Sequence, residues 1–301
     1  MKNSIQEINP FRINSIDLEN LVVEIGFGNG VYISNLAKLN PNKNFLGIEV
    51  SGESVKKLSK IIKKEHLKNV YIIKMDAYWV FYFFLKDNKV LEIYINFPDP
   101  WPKKKHVHKR LTTIENLYLF SRKLKEGGFI QIKTDDLKFY NFTVENAKML
   151  NCFEIHIYEN LKDIVQTKYE KKWIEQNKTI WTIKLIKISK PKIEVNLREI
   201  RRIEEMPRFK TDFIDFRVLE NKVFKIEENL IVKFFRSFQG DDEWLIETLL
   251  SENDYIHYFF TSLRKKDSYY ILSISSFSEV IKTEGIKKFL EFISSKISNL
   301  K

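Results

Sequence analysis

The chain has one cysteine, Cys152, among 301 residues. A single thiol excludes an intramolecular disulfide and any zinc cluster built on cysteines, and it suits a reducing compartment. Histidine is equally sparse. Of five, only His106 and His108 lie close together, and an i, i+2 pair in a basic loop suits phosphate or solvent better than metal, so no metal site is expected. No uncharged apolar run approaches a membrane span, and the opening MKNSIQEINPF lacks the apolar centre of a signal peptide. These absences predict a cytoplasmic protein with no membrane partner, and nothing in the sequence requires a protein partner. Glycine and proline are few, at nine and seven, so the places where they cluster stand out.

What is present is a 44% hydrophobic composition, enough to bury a core, and an excess of 51 Lys and Arg over 40 Asp and Glu. The excess is uneven. Residues 189–301 carry 20 cations and 19 anions, whereas residues 1–188 carry 31 and 21. A polyanionic partner is therefore expected to meet the first part of the chain.

Short apolar, β-branched runs recur through that part: LVVEIGFG (21–28), NFLGIEV (44–50), VYIIKMDA (70–77), VLEIYINFP (90–98) and GGFIQIKTDD (127–136). Helical patterns separate them, including 52–66 and 112–128, the latter expected to stop at its glycine pair. This βαβ alternation predicts an α/β fold with a mostly parallel, Rossmann-like sheet covered by helices on both faces. CFEIHIYEN (152–160) and TIWTIKLIKI (179–188) are expected to add an antiparallel edge. YWVFYFF (78–84) is apolar all round and predicts a buried segment. After Lys190-Pro191 the rhythm stops. The expected organisation is a catalytic domain over 1–189 and a smaller C-terminal α+β domain over 190–301. The interleaved charges from Arg198 to Lys210 read as a solvated helix face.

Three features carry chemistry. EIGFGNG places Gly26, Gly28 and Gly30 directly after the first strand, where glycine lets the backbone turn sharply and approach a ligand; a tight turn without a ligand remains the simpler alternative. The spacing is not the dinucleotide G-x-G-x-x-G, which disfavours a nicotinamide oxidoreductase. Glu49 and Asp76 close the second and third strands, Glu49 placed to accept from ribose hydroxyls and Asp76 beside a small Ala77 that leaves room for a flat ring. Asp99 ends the fourth strand between Pro98 and Pro100, which restrict the backbone on both sides of it. The run KKKHVHKR follows at once, as phosphate contacts would beside nucleic-acid chemistry.

EIGFGNG, GIEV, MDA, PDPWPKKKH, KTDD and TKYEKK, in this order, resemble the bacterial tRNA (guanine-N7-)-methyltransferase family, a branch of the class I S-adenosylmethionine-dependent methyltransferases, over residues 20 to 188. The proline-tryptophan-lysine motif is far more specific to that family than the glycine loop. The resemblance implies S-adenosyl-L-methionine as cofactor and tRNA as partner. It implies that Glu24, the three glycines, Glu49, Asp76, Ala77 and Asp99 line the cofactor site, with Asp99 the catalytic carboxylate. Lys103, Asp135, Thr167, Lys168, Tyr169 and Glu170 match substrate-binding positions, and Lys105, His106, His108, Lys109 and Arg110 match the tRNA-contacting loop. It implies the variable-loop guanosine as target. His108 stands where members often carry a basic residue. The resemblance leaves residues 190–301 unaccounted for, although some thermophile members have an additional C-terminal domain. A methyltransferase acting on another RNA base or on a small molecule, and an inert RNA-binding module, are the rival expectations.

Overall fold

The computed structural model describes residues 6–161, 165, 170, 176 and 178–296. The chain divides into two compact units, Met1–Leu197 and Arg198–Lys301. The expected boundary at 190 falls short of this division: Lys192 donates its backbone N–H to Leu150 O at 3.2 Å, which ties the segment after the proline back to the first unit.

In the first unit the described strands form a sheet in the order β1-β4-β3-β2-β5-β6-β8-β7. They are β1 (Glu7–Ile8), β2 (Leu21–Ile25), β3 (Asn44–Glu49), β4 (Val70–Lys74), β5 (Val90–Asn96), β6 (Leu124–Thr134), β7 (Phe153–Glu159) and β8 (Trp181–Lys187). The first six are parallel; β8 inserts antiparallel between β6 and β7. The helices are α1 (Val31–Leu39), α2 (Gly52–Glu65), α3 (Ala77–Phe83), α4 (Ile114–Lys123) and α5 (Leu137–Leu150). The central strands are buried on both faces; β2 reads LVVEI with every residue buried, as a parallel sheet under helices requires. The apolar stretch 78–84 is mostly α3, with Tyr78, Trp79, Val80, Phe81 and Phe83 all buried.

Strand order reverses between β2 and β5, since β3 and β4 lie on one side of β2 while β5 and β6 lie on the other. A crevice opens at such a switch point, at the carboxyl ends of the strands. The glycine loop and the acidic strand ends all emerge there. β8 runs against β6 with Trp181 opposite Thr134, so the chain entering β8 also arrives at this edge.

The helix expected over 112–128 does not run to the glycine pair; α4 ends at Lys123 and β6 starts at Leu124. Leu124 is fully buried and pairs with Val90, and the β5–β6 register shifts before Glu92 meets Phe129. The glycines serve that bulge. Gly127 has φ +76°, and a Cβ on Gly128 would stand 2.7 Å from Leu91 O and 2.9 Å from Lys125 O.

In the second unit, β9 (Phe209–Thr211), β10 (Val223–Glu227), β11 (Leu230–Gln239), β12 (Glu243–Glu252), β13 (Tyr255–Lys266) and β14 (Tyr269–Ile274) form an antiparallel sheet in the order β10-β11-β12-β13-β14-β9. The helix α6 (Glu284–Lys296) buries Ile286, Phe289, Leu290 and Ile293 against Val232, Phe234, Leu250 and Phe259. Glu252 fixes the start of this helix: its carboxylate accepts from Gly285 N at 3.0 Å, from Thr283 Oγ1 at 2.6 Å, and pairs with His257 Nε2 at 3.1 Å. The run Arg198–Lys210 is not a helix face. It forms no helix: Ile200 is buried, Arg202 bridges to Thr283, Ile203 N donates to Lys282 O at 3.0 Å, and Pro207 disfavours a helical residue before it.

Gly128→Ala forces a methyl group against two backbone carbonyls and should cost about 1–3 kcal/mol of stability, by the general penalty for overpacking. Gly127→Asn, which tolerates the left-handed conformation in open space, should cost less than half as much. Thermal melts of both variants check this; equal losses would place the bulge elsewhere.

Candidate active site

The crevice between β2 and β5 is built on a hydrogen bond across the two strands. Asn96 Nδ2, at the end of β5, donates to Glu24 Oε1 at 3.0 Å. Glu24 is buried, and its Oε2 and the Asn96 Oδ1 have no hydrogen-bond partner among the described residues. Burial pushes the Glu24 carboxyl up to about 7; the Asn96 amide and the Ile33 backbone amide pull it down, and the negative charge of Glu49 pushes it up. The Ile33 amide is near enough to favour the ionised form without satisfying Oε2.

The glycine loop follows. Gly26, Gly28 and Gly30 all have positive φ (71°, 53° and 76°), which explains the residue type at each. Their surroundings differ. A Cβ on Gly30 would strike Leu58 at 2.7 Å, so this glycine lets α1 pack on α2, whereas nothing lies within 4 Å of a Cβ on Gly26 or Gly28. The open side of the loop faces the crevice edge. Glu49 joins the loop to β3: its Oε2 accepts from Gly28 N at 3.2 Å, and its Oε1 from Val50 N and Ser51 N at 2.8 and 3.1 Å. Asp76 caps α3, accepting from Tyr78 N at 2.9 Å, with Ala77 buried behind it.

Beyond β5 the backbone is contorted. Phe97 has φ +51° and Trp101 φ +43°, and a non-glycine residue there stores about 1–3 kcal/mol of strain. Asp99 stands between them with an exposed side chain. Phe97 N donates to Lys133 O at 2.8 Å, which holds the start of the turn against β6. Trp101 packs edge-on to His106 at 5.6 Å, and Lys109 Nζ sits 5.0 Å from its ring centre. The segment Lys104–Lys109 is a tight 3-10 turn with Lys105, His108 and Lys109 exposed, and Lys103 precedes it, also exposed. Arg110 differs from them. It is 6% exposed, with Nε donating to Pro100 O at 2.8 Å and Nη2 to Trp101 O at 3.3 Å. Expected among the RNA-contacting residues, it does not present its side chain on the loop surface.

At the end of β6, Asp135 is half-buried and meets Lys178 Nζ at 3.3 Å. Glu170 is buried at 1% exposure, both carboxylate oxygens 3.0 Å from the Nζ of fully buried Lys133. Its carboxylate is therefore held against β6, although a substrate contact is expected of it. Thr167, Lys168 and Tyr169 lie outside the described residues. Asn96 and Lys133 are site residues that the sequence does not announce; the only signal for either is its place beside a motif, Asn96 before FPDPW and Lys133 within KTDD.

Residues 19–183 match the family model described as a putative methyltransferase. Over 286 residues the chain is 42% identical to a tRNA (guanine-N(7)-)-methyltransferase of Aquifex aeolicus, spanning 94% of this chain and 96% of that one. The chain belongs to the tRNA (guanine-N(7)-)-methyltransferase family. It is a class I methyltransferase whose methyl donor is S-adenosyl-L-methionine, which removes the oxidoreductase reading of the glycine loop. A Thermotoga maritima member is 30% identical over 92% of this chain and 89% of its own. A member from Mesomycoplasma hyopneumoniae is 36% identical over 55% of this chain and 84% of its own. Among solved structures, an rRNA methylase from Streptococcus thermophilus aligns with 58% of this chain and 90% of its own, at 19% identity and a TM-score of 0.42.

The crevice fits the donor that this methyltransferase family requires. It offers two unsatisfied buried polar atoms, a glycine loop open on one side, and acidic groups suited to a cationic ligand carrying an amine and ribose hydroxyls. The raised Glu24 carboxyl yields a pH signature. Between the ordinary glutamate value and about 7 the folded protein holds a proton that the unfolded chain has released, so this group lowers stability as pH rises through that window and adds no further change above it. Glu24→Gln removes the titration. Relative to the variant, the parent should lose about 3 kcal/mol between pH 4.5 and 7, at about 1.4 kcal/mol per pH unit. Denaturant melts of the two proteins across that range measure the difference, and parallel pH profiles would contradict it.

Proposed function

We propose that Asp99 is the catalytic carboxylate of this enzyme and that the basic turn behind it sets the register of the tRNA, with the variable-loop guanosine as target. As a member of its family the protein transfers a methyl group from S-adenosyl-L-methionine to N7 of guanosine in tRNA. The observation that carries the residue assignment is the position of Asp99: an exposed carboxylate on a strained, braced turn, one strand end from the Glu24–Gly30 crevice and directly before a run of exposed cations.

In the crevice, the Gly26–Gly30 backbone, Glu24, Glu49, Asp76 and Ala77 would hold the donor. When bound, the donor supplies an electrophilic methyl carbon on a cationic sulfur. Guanine N7 carries a free lone pair and is exposed as an acceptor beside O6. It needs no deprotonation, so the protein's task is mostly to orient the base, which supplies several kcal/mol of barrier lowering. Methylation leaves the purine cationic. A fixed carboxylate attracts that developing charge more strongly than it attracts the neutral base, and this difference between ground and transition state raises the rate. Asp99 would supply that field either directly or by accepting from the Watson-Crick edge.

Lys103, Lys105, His108 and Lys109 present their side chains to solvent on one short turn, suited to phosphates on either side of a base displaced from its stack. His106, packed on Trp101, shapes the turn from within. Asp135 faces the same edge and is the candidate for gripping the base. The reading of a cytoplasmic enzyme accords with its substrate, and among the described residues no helix is long and apolar enough to cross a membrane.

Asp99→Asn should lower kcat about 10²–10³-fold, the range seen on removing a single electrostatic stabiliser, with tRNA affinity unchanged. Parent turnover in that variant would dismiss the carboxylate. The double variant Lys105→Ala, Lys109→Ala should weaken tRNA binding and reduce the slope of log affinity against log salt by about 0.7–0.9 for each phosphate no longer neutralised. A filter-binding series at several salt concentrations measures both; an unaltered slope would remove the turn from the interface.

A further inference from the structure

Arg110 closes the basic run in sequence but does not share its surface. Its guanidinium is turned inward, over the Phe142 ring at 4.6 Å, and donates to the carbonyls of Pro100 and Trp101. The residue is fixed from its backbone as well: its N–H donates to Val107 O at 3.1 Å, and its carbonyl accepts from Asn116 Nδ2 at 3.4 Å. Asn116 is buried in the first turns of α4. The path from the α4 helix through Arg110 to the Asp99 turn is thus continuous.

The carbonyls it holds belong to the two residues that immediately follow Asp99. The turn gains from such a partner. Pro98, Pro100 and Pro102 remove three backbone donors from it, so fewer neighbouring N–H groups are available to its carbonyls, and a partly buried carbonyl left unpaired is costly. Phe97 and Trp101 both sit at positive φ, a state that persists only where the surroundings over-determine it. The Lys133 carbonyl secures the Phe97 end at 2.8 Å. Arg110 secures the Trp101 end.

We propose that Arg110 is a positioning residue for Asp99: it clamps the strained turn from inside and fixes the direction of the carboxylate, and it makes no phosphate contact. The proposal rests on the reading of Asp99 as the catalytic group. Arginine suits the task by its shape. The planar guanidinium directs two N–H groups at once to two successive carbonyls and lies flat on an aromatic ring, whereas a lysine ammonium is a hydrated point charge that does neither as well.

Three kinds of measurement on Arg110→Gln, Arg110→Lys and Asp99→Asn test it: steady-state kinetics with tRNA, the salt dependence of tRNA binding, and hydrogen exchange of peptides spanning 97–110. Arg110→Gln should lower kcat on the order of 10²-fold, as a displacement of about 1 Å in a reacting group does. KM for tRNA and the salt slope should stay at parent values, and exchange at Phe97, His106 and Arg110, whose amides are hydrogen-bonded in the parent, should quicken. Arg110→Lys, keeping the charge and part of the grip, should restore part of kcat. It also serves as the test where the Gln variant fails to fold.

Parent kcat with a shallower salt slope in Arg110→Gln would return Arg110 to the phosphate surface and overturn the proposal. So would a loss of kcat in step with melting temperature and with no change in exchange at the turn. If Asp99→Asn kept parent turnover, the catalytic reading would fail separately. Exchange in Arg110→Gln would then decide the clamp alone: faster exchange at the turn upholds it, and parent exchange overturns it.

Discussion

Lys133 joins the three segments from which the site is made. Its carbonyl accepts from Phe97 at the start of the Asp99 turn, its side chain holds both oxygens of Glu170, and its place on β6 sets Asp135 two residues later. The ion pair is fully buried. Such a pair gives little net stability, because taking two charges from water costs nearly what their attraction returns, and a well-packed apolar pair would often do as well. What an apolar pair would not give is direction. A buried carboxylate held at 3.0 Å by a buried ammonium has a defined place to settle, and Glu170 is thereby fixed against β6.

That edge has an uneven distribution of charge. Glu24, Glu49, Asp76, Asp99 and Asp135 all stand at carboxyl ends of parallel strands, and the exposed cations stand just outside, on the turn after Asp99. The acidic interior suits a cationic donor and a base that becomes cationic as it is methylated; the basic rim suits a phosphate backbone. The two fields do not cancel because the proline turn separates them. Pro98 and Pro100 limit the chain's freedom before folding, so less conformational entropy is lost in holding the turn, while the strain at Phe97 and Trp101 is offset by bonds to Lys133 and Arg110.

The parallel strands are legible in the sequence because each is a short apolar run ended by a turn or an acid, and parallel topology then dictates that those ends share an edge. This is why Glu49, Asp76 and Asp99 can be placed together from spacing alone. Arg110 misleads for the opposite reason. In KKKHVHKR it is one cation among several, and only the return of the chain toward α4 turns it inward. Glu170 likewise takes its expected role from its motif, and its burial depends on a lysine that the one-dimensional pattern shows only as the K of KTDD. The glycine pair misleads because a helix stop and a strand bulge both call for glycine, and periodicity does not distinguish them. Over Arg198–Lys210, interleaved charges fit a helix face as well as an extended path; the buried Ile200 and the backbone bond from Ile203 decide for the latter.

The division of the chain into units separates chemistry from whatever the second unit adds. Every candidate residue lies between Glu24 and Glu170, within the 19–183 span matched by the family model. The second unit closes on itself. Its core is shared between one antiparallel sheet and α6, and the helix start is held by Glu252 from within the same unit, through Thr283, Gly285 and His257. A Cβ on Gly285 would strike that carboxylate, so the cap requires glycine at this position. The unit's 18 cations and 18 anions balance, whereas residues 1–197 hold the whole net charge of +11. Long-range attraction for a polyanion therefore originates in the unit that also carries the carboxylates.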